Sequence, residues 1–176
     1  VALGLQTLET NTTGTQNTGL GNYALNNSTT ASNNTAVGYS ALIANTTGTG
    51  NSAVGYLTLD ANTTGNANSA FGGEWTSNAS AALSGNTTGA RNSAFGTGAL
   101  AQNTTASYNT AVGYKSLYAN TTGAENVAVG ANALQAVTTG YENVGVGRGA
   151  GSGITTANRN TFIGDDAGYL ITGGGS

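Results

Sequence analysis

The apolar residues of the chain occur in short words that return at a fixed interval. NTAVG ends at Gly38, NSAVG ends at Gly55, and NSAFG ends at Gly72 and again at Gly96. Ten such words, the first being VALG, follow one another at 17 residues, except for one interval of 24 residues from Gly72 to Gly96. A fixed period of this length is typical of stacked repeats. The pattern therefore predicts ten coils, one of which carries a seven-residue insertion.

The complete unit reads NTAVGYSALIANTTGTG over residues 34–50 and holds two apolar words separated by Gly-containing turns. Helical repeats need about 33 residues or more, whereas β-branched residues between turn residues favour strands. We predict an all-β fold, a β-solenoid or β-roll of ten 17-residue coils, as a single domain over residues 1–171. The insertion is predicted to form a corner loop at 73–81, and residues 172–176 a Gly-rich tail or linker.

Alternation within the first word predicts two columns of side chains on opposite sides of the strand. The fourth position of the word is always large and apolar, so we expect it to line the inside of the coil: Leu3, Leu20, Val37, Val54, Phe71, Phe95, Val112, Val129, Val146 and Ile163. The third position is tiny in nine consecutive words, which suggests that another chain packs closely there. We therefore expect a parallel homotrimer with inter-chain contacts at Ala36, Ala53, Ala70, Ala94, Ala111 and Ala128.

Two further columns run through the second half of the unit. Leu occupies one column in eight coils and is replaced by Gly151 and Gly168 in the last two. The other column is expected to form a ladder of side-chain hydrogen bonds: Asn11, Asn45, Asn62, Asn86, Asn103 and Asn120. It then changes to Val137, Ile154 and Ile171, which predicts a more apolar interior. The Gly of the first word and the Gly after Asn-Thr-Thr are both expected to supply positive φ at corners.

The amino-acid composition limits the kinds of functional site that the chain can form. Only 6% of the residues are charged, the net charge is −3, and there is no Cys, His, Met or Pro. These values give no support for disulfides, a thiolate metal site or nucleic-acid binding, and no apolar run is long enough for membrane insertion. The adjacent pair Asp165 and Asp166 is expected to solubilise a corner, with a calcium site as the weaker alternative. We expect no enzyme and no cofactor.

The stretch NTAVGYSALIANTTGTGNSAVGY at residues 34–56 resembles the head repeats of trimeric autotransporter adhesins, which wind a left-handed β-roll in a tight trimer. It is also similar to repeats of phage-tail-fibre-like and bacterial surface fibre proteins. The resemblance covers the chain from Val1 to about Ile171, although the period here is longer than that of the adhesin heads. It implies a structural fibre segment for surface attachment, extracellular, on the cell surface or on a virion. The implied partners are copies of the chain, as a trimer or an end-to-end filament, and a cell-surface glycan or protein.

The Thr pairs of the repeat open a second functional hypothesis. Nine coils carry Thr-Thr in the same place, and Thr arrays on β-solenoids resemble the ice-binding faces of antifreeze proteins. Adjacent residues of a strand point to opposite sides, so only one outward Thr column is expected. The alternative is that the hydroxyls bond to nearby backbone at a turn. A third hypothesis is a filament or spacer with a purely structural role. Asn-Thr-Thr is also a sequon for N-glycosylation.

Five residues are candidates for ligand contact. Tyr39, Tyr56 and Tyr114 directly follow the Gly of the first word, where exposed rings stack on sugars or partner proteins, or shield the core beneath them. Glu74 and Trp75 belong to the insertion, and Trp75 is the only Trp of the chain. Insertions in repeat proteins often lie on a binding face. We expect both residues to project from the rod, with a Trp folded back over the corner as the alternative.

Overall fold

A computed structural model describes residues 1–74 and 80–169. The architecture is all-β: one parallel ten-stranded sheet follows the order of the chain and makes about nine solenoid turns with a spacing of about 17 residues. This confirms the predicted β-solenoid. The strands are β1 Ala2–Leu3, β2 Thr18–Leu20, β3 Thr35–Val37, β4 Ser52–Val54, β5 Ser69–Phe71, β6 Ser93–Phe95, β7 Thr110–Val112, β8 Val127–Val129, β9 Val144–Val146 and β10 Thr161–Ile163.

Each strand pairs with the same word of the next coil. Ala36 lies opposite Ala53, and the backbone N–H of Gly38 donates to the carbonyl oxygen of Leu20 at 2.8 Å. The insertion leaves this stacking intact, since Ala70 of β5 still lies opposite Ala94 of β6. All contacts between strands therefore join consecutive coils.

The corners need a left-handed backbone. Every Gly that ends a first word has a positive φ, between 126° and 143°, as predicted. At Gly38 a Cβ would also overlap the carbonyl oxygen of Gly55 in the next coil. The prediction for the Gly after Asn-Thr-Thr is wrong, because Gly48 has no positive φ. A Cβ on Gly48 would overlap Asn45 Oδ1 and the Gly65 carbonyl oxygen, so that position requires close approach between coils.

The Leu column forms the apolar centre of the coil. From Leu25 to Leu134 its side chains are fully buried. Each Leu of the column has a positive φ, between 48° and 54°, a conformation that costs a residue with a Cβ about 1–2 kcal/mol. Burying a Leu side chain contributes about 1.5–3 kcal/mol. Burial in the centre of the coil therefore offsets the backbone strain.

The predicted sides of the strand are wrong. The third-position residues face the inside of their own chain and are 0% exposed, so they cannot contact a partner chain: Ala36, Ala53, Ala70, Ala94, Ala111 and Ala128. The large fourth-position residues point outward. The exposed fraction is 36% for Val146 and reaches 71% for Ile163. The reason is the narrow interior of a 17-residue coil. A Cβ on Gly145 would already lie 2.8 Å from Cγ of Leu134, so the third position must be small because Leu fills the space.

The last two coils have a different centre. Phe162 occupies a third position but is only 9% exposed, and its ring lies where Leu side chains lie in the other coils. A Cβ on Gly151 would lie 2.5 Å from Phe162 Cδ2, and one on Gly168 would overlap Cδ1 of the same ring. Val137 and Ile154 are fully buried, which confirms the more apolar interior in this part. Ile171 is outside the described residues.

Candidate functional site

The Asn column is a buried hydrogen-bond ladder, as predicted. Asn62 Nδ2 donates to Asn45 Oδ1 at 2.9 Å, and Asn86 Nδ2 donates to Asn62 Oδ1 at 2.8 Å. Each amide also donates to the carbonyl three residues further on, at 3.0 Å from Asn45 to Gly48. The side-chain amides of five sequons are therefore buried and engaged, so the folded rod offers no access to a glycosylating enzyme at Asn45, Asn62, Asn86, Asn103 and Asn120.

A second Asn ladder was not predicted from the sequence. It is formed by the Asn that opens each first word from Asn17 to Asn160. Asn34 Oδ1 accepts the backbone N–H of Asn51 at 2.8 Å, while Asn34 Nδ2 donates to the Gly48 carbonyl at 2.9 Å. The side chain thus joins its own coil to the next one. The recurrence of Asn in this place was the available signal.

The two Thr residues of each pair have different roles. The hydroxyl of the first Thr donates to the backbone of the next coil, as from Thr46 to the Thr63 carbonyl at 3.1 Å. The second Thr is exposed in all nine coils, and its hydroxyl donates no hydrogen bond within the described residues. We call these nine residues the Thr rank: Thr13, Thr30, Thr47, Thr64, Thr88, Thr105, Thr122, Thr139 and Thr156. One outward Thr column remains, but the pairs lie in bends and not in strands, and the hydroxyl of the first Thr bonds to backbone as the alternative expectation has it.

The outer side of the sheet carries two parallel columns, the second and fourth positions of the words in β2 to β10. We call this surface the sheet face. Its fourth-position column is large and apolar, and its second-position column is Thr or Ser, apart from Val127 and Val144. The rings of Phe71 and Phe95 stack on this face, with centroids 4.9 Å apart and an interplanar angle of 6°. No charged residue belongs to either column.

Tyrosine rings stack along the corner after the first word. Tyr39 and Tyr56 are stacked, with centroids 5.4 Å apart and an interplanar angle of 16°, and Tyr23 meets Tyr39 edge-on at 5.6 Å. The structure thus brings two candidate ligand-contact residues together. Tyr39 is 45% exposed, so part of its side chain is open to solvent while part of its ring faces the neighbouring rings.

The other three candidates lie apart or outside the described residues. Tyr114 is 48% exposed and belongs to a more distant coil, where Lys115 Nζ lies 5.4 Å from its ring centroid. Glu74 is half-buried at the start of the insertion. Trp75 lies outside the described residues, so its predicted projection from the rod stays a prediction.

Salt bridges of the described residues lie in the C-terminal coils. Arg148 donates to Asp165 at 2.8 Å and to Asp166 at 2.6 Å, which raises the pKa of the Arg148 guanidinium above its usual value. Arg159 pairs with Glu142 at 2.8 Å. All of these side chains are well exposed, so the pairs contribute little to stability. Residues 1–74 and 80–169 contain no group of three or more His, Cys, Asp or Glu side chains that could hold a metal ion.

Asp60 is an acidic group with a perturbed pKa. Its carboxylate is half-buried and its Oδ1 atom has no hydrogen-bond partner. Burial raises the pKa of Asp60 above 3.8, and hydrogen bonds to the backbone of Asp60 and Ala61 oppose this shift. A half-buried carboxylate with an unpartnered oxygen has the features of a packing compromise.

Within the described residues, no helix is long and apolar enough to cross a bilayer. The likeness to adhesin heads and surface fibres is carried by sequence words alone and stays a prediction. The structure adds three surfaces that bear on function: the sheet face, the Thr rank and the stacked rings of Tyr23, Tyr39 and Tyr56, which we call the Tyr corner. Comparison with models of protein families, with curated proteins and with solved structures gives no match.

Proposed function

We propose that this chain is a structural segment of an extracellular or cell-surface fibre that contributes to surface attachment. The observation that carries the proposal is the stacking of similar coils in register along ten strands. At the usual strand spacing, nine steps give a rod of roughly 43 Å. The Asn ladder that opens the first words and the Thr ladder tie neighbouring coils together, and the other Asn ladder adds to this from Asn45 to Asn120, so the rod holds its surface groups at fixed spacing.

Association with copies of itself is part of the proposal, as a parallel homotrimer or an end-to-end filament. The Ala column no longer supports it, because those residues are inside the chain. Support now comes from the exposed apolar column of the sheet face. Several identical rods side by side repeat each weak surface contact, and linked contacts bind more tightly than single ones by avidity.

The attachment residues in this proposal are Tyr39, Tyr56, Tyr114 and Glu74, together with Trp75. The partner is a cell-surface glycan or protein. A purely structural spacer is the neighbouring hypothesis, and the two differ in one measurable property: a spacer binds no surface.

Binding of the fluorescently labelled chain to a glycan array and to intact bacterial and mammalian cells tests attachment. We expect the double variant Tyr39→Ala/Tyr56→Ala to bind at least about tenfold more weakly, a loss of about 1.4 kcal/mol. Tyr169→Ala is the matched control, because Tyr169 is 58% exposed but lies outside the Tyr corner. A wild-type rod that binds none of these surfaces would contradict attachment and favour the spacer.

Ice binding is a second candidate function, favoured by the Thr rank. Nine free hydroxyls lie in one line along the rod, and the line continues past the insertion from Thr64 to Thr88. Thermal hysteresis of the wild-type chain is the measurement. If ice binds here, Thr105→Lys abolishes the hysteresis and Val112→Lys on the sheet face does not. Absence of hysteresis in the wild type rules this candidate out.

A further inference from the structure

We propose that Tyr114, Lys115 and Tyr118 form a binding site for an anionic sugar, a saccharide that carries a carboxylate or a sulfate group. We call these three residues the Lys115 site. The inference rests on the proposed attachment function and names the chemical class of ligand for one of its candidate residues, Tyr114. The contacts of one ammonium group, the open rings beside it and the small residues of the neighbouring coils support it.

The ammonium group of Lys115 lies over two tyrosine rings. Its Nζ atom is 5.4 Å from the ring centroid of Tyr114 and 5.3 Å from that of Tyr118. At both distances a cation is attracted to the face of a ring. These contacts restrict the long Lys side chain before any ligand arrives, so less conformational entropy is lost on binding. The charge is therefore held at a defined place on the surface.

The N–H donors of this ammonium group are not used by the described part of the chain. Lys115 is the only Lys in the sequence, and within residues 1–74 and 80–169 its Nζ atom makes no hydrogen bond and no salt bridge. Arg148 and Arg159 differ, because each of them pairs with a carboxylate. An ammonium group has three donors, and those of Lys115 remain for an anionic ligand.

The rings beside this ammonium group are open to a partner. Tyr114 is 48% exposed and Tyr118 is half-buried. Neither ring contacts another ring within the described residues, whereas Tyr39 and Tyr56 stack on each other. A Tyr side chain has an apolar ring and a polar end, which suits the apolar C–H face and the hydroxyl groups of a sugar. An ammonium group and two rings together match a sugar that carries a negative charge.

The neighbouring coils leave the Lys115 site uncrowded and uncharged. Gly98, in the preceding coil, contacts two side chains of the site: a Cβ there would lie 2.9 Å from Lys115 Cγ and 3.4 Å from Tyr118 Cδ2. The absence of a side chain on Gly98 thus makes room for the Lys stem and the Tyr118 ring. The residues at the equivalent positions of the two adjacent coils are all neutral, so none of them repels an anion: Thr97, Gly98, Ala101, Ala131, Asn132 and Gln135.

These features select a class of sugar. The carboxylate of an acidic sugar and the sulfate of a sulfated sugar both offer oxygen atoms to the ammonium group, and hydrogen bonds between charged partners are stronger than neutral ones. A simple anion offers the same oxygen atoms but no C–H face for the rings. One small site binds weakly, and several copies on a fibre bind a sugar-coated surface more tightly through avidity.

Titration of the whole chain with soluble sugars, observed by saturation-transfer NMR on the sugar, tests the ligand class. The probes are sialyllactose, sulfated lactose and lactose. We expect at least one charged sugar to bind about tenfold or more tightly than lactose, and to bind more weakly as sodium chloride is added, because salt screens exposed charges. The charged probe that binds more tightly identifies the anionic group. Equal binding of all three sugars would overturn the proposal, as would full displacement of the charged sugar by an equal concentration of inorganic sulfate.

The repeat itself supplies a mild substitution for the central residue of the site. Gln6 stands at the position of Lys115 in the first coil and has the same φ of 53°, so Lys115→Gln removes the charge in a backbone conformation that the fold already gives to Gln. We expect this variant to bind the preferred charged sugar at least about tenfold more weakly and to lose the dependence on salt. Circular dichroism checks its fold. A folded Lys115→Gln variant that binds like the wild type would overturn the proposal.

Two ring variants and one charge control complete the test. Alanine already stands at the equivalent positions of neighbouring coils, as Ala131 for Tyr114→Ala and as Ala101 for Tyr118→Ala. We expect each ring variant to weaken binding of the charged sugar. Arg91→Gln is the control, because it makes the same change of net charge, and the Arg91 guanidinium already donates to the hydroxyl of a Tyr ring. An equal loss of binding in Arg91→Gln and Lys115→Gln would indicate a general charge effect and contradict the site.

This proposal and the attachment proposal fail in different ways. If the chain binds cells or arrayed glycans and Lys115→Gln binds them equally well, the Lys115 site is wrong and attachment stands. If a soluble charged sugar binds through Lys115 but no cell or array is bound, the site stands and attachment is wrong.

Discussion

The central coils and the last two coils fill the same interior in different ways. In the central coils a Leu enters from the turn and the strand contributes Ala, as in the pair Leu117 and Ala111. In the last two coils the turn contributes Gly151 and Gly168, and the strand contributes Phe162. The fold thus requires a certain apolar volume in each coil but does not require that one particular position supplies it.

The two parts also differ in the polarity of the neighbouring column. The Asn ladder of the central coils ends at Asn120, whose buried Oδ1 has no partner because Val137 follows. At the other end Ser28 interrupts the column, and both its Oγ and the Oδ1 of Asn11 lack partners. A hydrogen-bond ladder thus leaves an unsatisfied group wherever the column changes residue type.

The largest expected effect on stability comes from replacing the Phe that fills the last two coils with the Leu that fills the central coils. We expect Phe162→Ala to lower the free energy of unfolding by about 3–5 kcal/mol, and Gly151→Leu alone to lower it by about 1–3 kcal/mol through a clash with Phe162. In the double variant the new Leu enters the space that Phe162 vacates. Its loss is therefore expected to be at least about 2 kcal/mol smaller than the sum.

Denaturant unfolding of the four proteins in this cycle measures the coupling. Phe95→Ala is the control, because the Phe95 ring lies outside the coil and its removal is expected to cost about 1 kcal/mol or less. If the losses of the two single variants simply add in the double variant, Leu at position 151 cannot replace the ring of Phe162.

The next effect compares the polar and apolar parts of one column. Asn86→Ala removes the partner of Asn62 Oδ1 and of Asn103 Nδ2, and an abandoned buried acceptor costs about 1–3 kcal/mol in addition to the lost bonds. Val137→Ala removes only apolar contacts, for about 1–2 kcal/mol. We expect Asn86→Ala to be the more destabilising in equilibrium unfolding. The opposite order would mean that the ladder contributes less than its hydrogen bonds suggest.

Repair of the ladder has an intermediate and opposite effect. Ser28→Asn is expected to raise the free energy of unfolding by about 1–2 kcal/mol, because its amide can bond to Asn11 Oδ1 and its oxygen can accept from Asn45. Val137→Asn would satisfy Asn120 but would place its own oxygen against Ile154, so we expect no gain. The melting temperatures of the two variants distinguish an interruption within the ladder, at Ser28, from the end of the ladder, at Val137. A stabilised Val137→Asn variant would contradict this distinction.

The smallest effect is a difference in how stability depends on pH between two equivalent positions of the repeat, Asp60 and Ser152. Because burial raises the pKa of Asp60 above 3.8, the unfolded chain ionises first as pH rises, so the folded chain loses stability from about that pH up to the folded pKa. Asp60→Asn removes this loss and is expected to be more stable than wild type at neutral pH by up to about 1 kcal/mol.

Melting temperatures from pH 3 to 7 measure this effect. Ser152 lies in the same column of the last coils and its Oγ also lacks a partner. Ser152→Ala is the control, since a hydroxyl does not titrate in this range. A wild-type protein whose stability follows that of Asp60→Asn at every pH would contradict the role given to Asp60.

The repeat period was sufficient to predict most of the fold. The spacing of Gly38, Gly55 and Gly72 was sufficient to predict the strands and their register. The Asn ladder also followed from the sequence, because identical side chains in identical places of stacked coils must meet. These predictions depend only on the period, which is independent of how the interior is filled.

The inside and outside of the strand could not be decided in the same way. Alternation separates Ala111 from Val112 but does not say which of them faces inward. The decision depends on the volume left by Leu117, a contact across the coil that no local pattern records. Phe162, at an otherwise tiny position, was the strongest clue: a large ring there implies space inside, and Gly151 and Gly168 show where the space comes from.

The restriction of strand pairing to consecutive coils has a mechanical consequence. Tension along the rod can detach one end coil at a time, because no strand pairing joins it to coils further away. Each released coil replaces a rise of about 4.8 Å with 17 residues of extended chain, a gain of roughly 50 Å. A fibre made of such segments would lengthen under a sudden load in small reversible steps, and so dissipate the load before the whole rod gives way.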